Sequence, residues 1–442
     1  MLLWVVVMVS IVIHHYLGRN WLESLVFRVS DGWCDDAKDG IGTHCFGDFG
    51  LGYFQGDFKS SFPIDYVPEN FITTNTPVTI VMFQFFGWFG YDTALALYSS
   101  LMLLSIAYPL VHASRHLDVV QRSLIVVFGG ILAHGTLATL DRGNHIGLLV
   151  TPAYLFILSL DQERERASVG WLIVLSILKF WGGLFFLPLL VNKRFRAVFI
   201  AGLLTCAGYL LPLAMLDGAF AESFRTMLKV NSSNKIAIIT APYNISGNGL
   251  VQRIVCAARR AHWCNTTEPA NQYAQKGLVS LFVTGLLILL LILILIGFRE
   301  FPIVRHGSLL AIPQFVIPDA ALYSTVFSTC LLAYLVHRSH ENPLELKALA
   351  ENHPHLLRCL QFVLLGSLAP VAFSVTTLSW LGSSNGTANP EFKIQYWMNP
   401  ILWSIYFTVA GAVSLRILVE SRQRKQRLRK EFAVASPSDS QD

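Results

Sequence analysis

The stretch "GLVSLFVTGLLILLLILILIGF", residues 277–298, contains no charged side chain. Roughly 20 consecutive apolar residues are what a helix needs to cross the hydrocarbon core of a bilayer. A chain in lipid must also satisfy its own backbone hydrogen bonds, which makes the α-helix the expected element. The rest of the chain agrees. Of its 442 residues 53% are hydrophobic and 14% charged, against about 25% charged in soluble domains, and the mean hydropathy is +0.51. The expected class is an all-α polytopic membrane protein of about 10–12 transmembrane or re-entrant helices.

Apolar segments recur near 2–17, 77–90, 92–114, 123–140, 146–160, 168–191, 197–216, 277–298, 309–336, 357–381 and 397–418. The opening "MLLWVVVMVSIVIHHYL" has no basic start and no small-residue cleavage site, so it reads as an uncleaved first helix. Lys and Arg in short loops mark the cytoplasmic side. They cluster at Arg115/Arg122, Arg164/Arg166, Lys193/Arg194/Arg196, Arg299/Arg305, Arg338/Lys347 and the tail "RQRKQRLRK".

If all of these are cytoplasmic, three segments cannot be simple crossings. Segment 77–90 would begin and end outside. Segment 168–191 would be a re-entrant hairpin broken at "KFWGG", and 309–336 would be two short elements turning at Pro313 to Asp319. Glycine and proline breaks at membrane depth are tolerated where the backbone lines a protected cavity. A plain zigzag of eleven spans is the alternative, and it would spread the basic loops over both sides.

The chain then divides into a membrane module over 1–217 with an outer loop at 18–75, a second outer loop at 218–276, C-terminal transmembrane helices over 277–420, and a tail at 421–442. The tail is basic and then disordered, and holds much of the net charge of +5 on the cytoplasmic side; it does not suggest nucleic acid. Cys34 and Cys45 share the first outer loop, and Cys256 and Cys264 the second. Pairing within each loop suits an oxidising compartment, with four free thiols as the alternative. Glycosylation sequons at Asn231, Asn244, Asn265 and Asn385 fall in expected outer regions.

Few residues are placed to do chemistry. In "HCFGDFGLGYFQGDF", residues 44–58, Asp48 stands among Phe49, Tyr53 and Phe54. Partial desolvation raises a carboxyl pKa and makes it a better base; an acid in a solvated Gly-rich turn is the plain alternative. Asp57 and Asp65 repeat the pattern more weakly, and Asp35, Asp36 and Asp39 read as a solvated turn or a divalent-cation site. In "TLDRGNHIGLL", Arg142 offers a planar fork suited to phosphate, and Asn144 and His145 suit sugar hydroxyls or phosphate oxygens. An Asp141–Arg142 pair closing a tight turn is the other reading.

Lys179 lies within an apolar segment, where a lysine costs about 2.5–3.5 kcal/mol and calls for an anionic partner or a wet cavity. Asp319, at a proline break, faces the same cavity or caps a helix. No P-loop, Gly-x-Ser-x-Gly, HExxH or CxxC motif is present, so no ATP or NAD site is visible and no cofactor is expected. Any reaction draws on an energy-rich substrate made elsewhere.

Four pieces in order, "GDFGLGYF", "NTPVTIVMFQFFG", "LDRGNHIGLLV" and "LSILKFWGGLFFLPLLVNKRFR", together resemble the GT-C membrane glycosyltransferases. The likeness covers about residues 1–215 and is closest to the polyprenyl-phosphate-mannose or -arabinose users and the GPI-anchor mannosyltransferase. It implies a catalytic module over 1–217 and inverting transfer of a sugar, mannose first, from a polyprenyl-phosphate donor lipid to a lipid or glycan acceptor. The site would face the periplasm or lumen of a bacterial inner membrane, or less closely the ER.

By position the resemblance implies Asp48 as the base and Arg142, Asn144 and Lys179 near the donor phosphate or sugar; His145, Asp57 and Asp319 are further candidate substrate contacts from their residue types and places in the chain. Since the leaving group is a phosphate, no metal is required, and none is indicated. The chain departs from the family pattern at Gly182–Gly183, where a proline is usual, and at Asp319, where His or Tyr is common. A transporter or flippase for a lipid-linked or anionic solute is the competing reading, because broken helices and a buried lysine fit it too.

Overall fold

A computed structural model of the chain describes residues 46–56, 76–215, 246–251, 254, 270–318, 320, 322–368 and 394–435. The expected first helix, both cysteine pairs, the four sequons, Asp57 and Asp319 lie outside the described residues. Every regular element described is helical. Among the described residues four helices are long and apolar enough to cross a membrane: Tyr91–Ala113, Phe195–Ala214, Leu278–Gly297 and Met398–Leu428. A bent pair, Val119–Ile131 and His134–Leu140 meeting at 53°, together has the length and apolarity of a broken span or a re-entrant loop.

The elements in chain order are α1 (Gly47–Gly56), α2 (Pro77–Gly87), α3 (Tyr91–Ala113), α4 (Val119–Val126), α5 (His134–Arg142), α6 (Val150–Asp161), α7 (Glu165–Leu178), α8 (Leu187–Val191), α9 (Phe195–Met215), α10 (Ala270–Gly297), α11 (Pro302–Gly307), α12 (Phe327–Glu341), α13 (Pro343–Asn352), α14 (Pro354–Leu368) and α15 (Ile394–Ala435). Short 3₁₀ and π turns join several of them. Local signals explain many starts. Thr76 caps α2 ahead of Pro77, Asp118 accepts from the Gln121 N–H at 2.8 Å at the start of α4, and Asn342 caps α13 ahead of Pro343.

The break between α4 and α5 has a packing cause. A Cβ on Gly129 would lie 2.4 Å from Leu332 Cδ2, and one on Gly130 2.7 Å from Leu110 Cδ1. The π turn at Val127–Ile131 disturbs the helical ladder, and Thr329 donates to the Gly129 carbonyl at 2.9 Å. On α5, a Cβ on Gly135 would meet the Val326 backbone nitrogen at 2.2 Å, so this helix abuts the start of α12.

The basic loops collect at one end of the bundle. Arg122 donates to the Arg115 carbonyl at 2.6 Å, and Arg115 lies 3.9 Å from Glu341. His306 and Arg338 both meet Asp161, Arg305 donates to Asn192, and Arg416 acts on the charge of His353. The buried carboxylates here, Asp161 and Glu345, are satisfied. The Tyr334 hydroxyl reaches Asp161 Oδ2 at 2.7 Å, while Glu345 pairs with Arg338 and accepts the Ile303 N–H at 2.7 Å.

Both ends of two apolar segments meet at this basic end. Residues 165–191 leave it along α7 and come back along a 3₁₀ turn and α8, with Asp161 and Asn192 linked through His306 and Arg305. Residues 302–341 do the same, since Pro302 and Tyr334 touch there. The hairpins expected at 168–191 and 309–336 are thus present as geometry. Residues 77–90 are the short α2, which turns into α3 without leaving the opposite end.

Candidate active site

Away from the basic end, α1 docks on the turn between α5 and α6. Aromatic packing drives this: Phe49 is fully buried and its ring lies 4.6 Å from Tyr98 and about 6 Å from Phe83 and Phe86 between centroids. Each such ring removes a large apolar area from water and adds edge-to-face attraction. With Phe49 turned inward, its neighbour Asp48 faces the rim, its side chain 25% exposed.

Two side chains from the α5–α6 turn hold the Asp48 carboxylate. Arg142 Nη2 donates to Oδ1 at 2.8 Å, and Asn144 Nδ2 donates to Oδ2 at 2.6 Å. Asn144 is itself immobilised, because its Oδ1 accepts the Ile146 N–H at 3.1 Å as the cap of a 3₁₀ turn. Its amide is therefore used at both ends. Each Asp48 oxygen keeps acceptor capacity beyond the one bond it makes here.

Gly143 makes this approach possible. It ends α5 at φ +62°, and a Cβ there would sit 2.9 Å from Phe49 Cβ and 3.0 Å from Phe46 Cα. Both the left-handed backbone and the space demand glycine. The Tyr98 hydroxyl donates to the Gly143 carbonyl at 3.0 Å, which ties α3 to the turn.

Lys179 stands where α7 stops. Its backbone is extended at φ −144°, ψ 134°, and its side chain is half-buried and close enough to act on the charge of His145. Tight packing forces the stop: a Cβ on Gly182 would lie 2.3 Å from the Leu175 carbonyl oxygen. The Leu178 carbonyl left at the helix end is not wasted. It accepts from Thr79 at 3.3 Å, from Thr76 at 3.5 Å and from the His145 ring.

His145, 4% exposed, packs edge-on against Phe83, and its Nε2 has no hydrogen-bond partner among the described residues. The structure thus brings Asp48, Arg142, Asn144, His145 and Lys179 to one end of the bundle. Sequence reasoning missed Tyr98, Thr76 and Thr79, which hold the frame. The Thr76-Pro77 cap was the one available signal.

A helical membrane bundle that presents a fixed carboxylate at the end away from its basic loops is the arrangement expected of a GT-C glycosyltransferase. Residues 73–342, well over half of the chain, match the model of Glycosyltransferase family 87, and the chain belongs to that family of GT-C-type membrane glycosyltransferases. The matched range includes Arg142, Asn144 and Lys179 and begins after Asp48. No curated protein and no solved structure matches the chain.

Proposed function

We propose that this membrane glycosyltransferase moves a sugar, mannose first among candidates, from a polyprenyl-phosphate donor to a hydroxyl of a lipid or glycan acceptor. Asp48 takes the acceptor proton, and the freed oxygen attacks the anomeric carbon from the face opposite the phosphate, inverting it. The bond from carbon to phosphate oxygen breaks, and polyprenyl phosphate leaves with the electron pair.

The observation that carries this reading is the double hold on Asp48 by Arg142 and Asn144, which fixes a carboxylate near the rim of the site. A base acts efficiently when its geometry is set before the acceptor arrives. Arg142 carries five N–H donors, and with Lys179 it supplies positive charge where the departing phosphate gains negative charge. Sugar transfer of this kind needs no metal, since the leaving group is already a phosphate. The active site would face the periplasm or lumen, with the basic end in the cytoplasm.

The test is Asp48→Asn in purified, folded protein, assayed for sugar transfer from polyprenyl-phosphate mannose and polyprenyl-phosphate arabinose. Loss of turnover by roughly 10²–10⁴-fold is expected for removal of a general base. Turnover like wild type would remove Asp48 from that role. Donor-dependent movement of lipid without any product would favour a flippase.

A further inference from the structure

At the basic end, Arg305 lies within the influence of two further arginines and has too few acceptors around it. Arg305 Nη2 donates to Asn192 Oδ1, a neutral acceptor, and Arg305 Nε is buried with no hydrogen-bond partner among the described residues. Arg299 and Arg194 both act on Arg305 with like charge. Asp161 acts on it with opposite charge, but its two oxygens already serve His306 and Tyr334. A half-buried guanidinium beside two other cations, with an unmatched N–H, is unfavourable until an anion joins it.

We propose that Asn192, Arg194, Arg299 and Arg305 form a site for a phosphate group, that of an anionic phospholipid in the leaflet at the basic end. Guanidinium forks match phosphate oxygens in geometry as well as charge. The neighbouring surface selects a lipid over a free ion. Helix α9 rises directly from Arg194, and it exposes Phe195 and Phe199, 64% and 70% accessible, one turn apart. Acyl chains would lie along that stripe while the head group meets the arginines.

This site is separate from the Asp48 cluster. The two stand at opposite ends of the segment His145–Asp161, roughly 25 Å at helical rise. A lipid bound here joins the foot of the 165–191 hairpin, at Asn192, to the foot of the 302–341 hairpin, at Arg305.

The test compares lipid retention by native mass spectrometry and the thermal midpoint in detergent, with phosphatidylglycerol, phosphatidylcholine or inorganic phosphate added. Arg194→Gln/Arg299→Gln removes two charges from the site. Arg424→Gln/Lys425→Gln removes two from the exposed part of α15 and serves as control. Phosphatidylglycerol should raise the midpoint of wild type and control. The site variant should lose that shift and retain roughly tenfold less of the lipid.

Should the site variant not fold, Arg305→Lys keeps the charge but lacks Nε, and the same loss of retained lipid is expected. Equal loss in control and site variants would overturn the proposal, as would equal retention of phosphatidylcholine. Inorganic phosphate reproducing the full shift would overturn the lipid assignment.

Discussion

Asn144 and Asp48, ninety-six residues apart, share a 2.6 Å hydrogen bond whose donor amide is locked from behind by the Ile146 N–H. One side chain therefore caps the 3₁₀ turn that follows α5 and aims a carboxylate. Under the proposed mechanism, Asn144→Ala should leave donor KM nearly unchanged and lower kcat by at least about tenfold, since misplacement of a reacting group by ~1 Å can cost 10²-fold. Steady-state kinetics on the purified variant would show it. A change confined to KM would mean that Asn144 binds substrate and does not position Asp48.

Arg142→Lys keeps a positive charge but cannot hold Asp48 Oδ1 with the same fixed fork. Activity should fall, and raising the donor concentration should not restore it. Arg142→Gln should lose more, because the charge facing the leaving phosphate also goes. Equal activity of the two variants would separate Arg142 from the phosphate.

Gly143→Ala tests the close approach of α1 to the turn. The substitution meets both a left-handed φ and contacts of 2.9–3.1 Å with Phe49 and Phe46. Strain of this kind costs about 1–3 kcal/mol. It should lower the thermal midpoint and detach α1, which would be read as faster proteolysis near residue 50 in the folded protein.

The far end makes an independent prediction about stability. Asp161 is buried against His306 and Tyr334 and lies 3.9 Å from Arg338. Asp161→Ala leaves these groups uncompensated, and breaking a buried ion pair from one side costs about 3–5 kcal/mol. Tyr334→Phe removes one hydroxyl and should cost about 1–2 kcal/mol. Thermal unfolding in detergent should rank wild type, Tyr334→Phe and Asp161→Ala in that order, with turnover of the folded Tyr334→Phe fraction unchanged.

Much of this architecture was legible because lipid leaves few options. Uncharged runs such as 277–298 were expected to be helices, and the placement of Arg and Lys favoured a fold-back of 168–191 and 309–336 over a plain zigzag of eleven spans. The structure adds the physical reason for one of those turns, in the contact between Gly182 and the end of α7. Arg142 and Asn144 could be singled out by type, but not their grip on Asp48. That contact joins segments with no common periodicity, so no local pattern encodes it. Tyr98 was invisible for the same reason, being an ordinary residue of an apolar helix until its hydroxyl is placed on Gly143.

The separation of Asp48 from its two partners also has a consequence in time. The chain is made from its N-terminus, so Asp48 leaves the ribosome before Arg142 and Asn144 have been added. At roughly 5–20 residues per second that interval is about 5–20 s. Throughout it the acid has neither of the side chains that will hold it. A nascent chain stopped before Asn144 would carry Asp48 in its sequence and still have no assembled site, so the hold on Asp48 cannot form before the α5–α6 turn has been made.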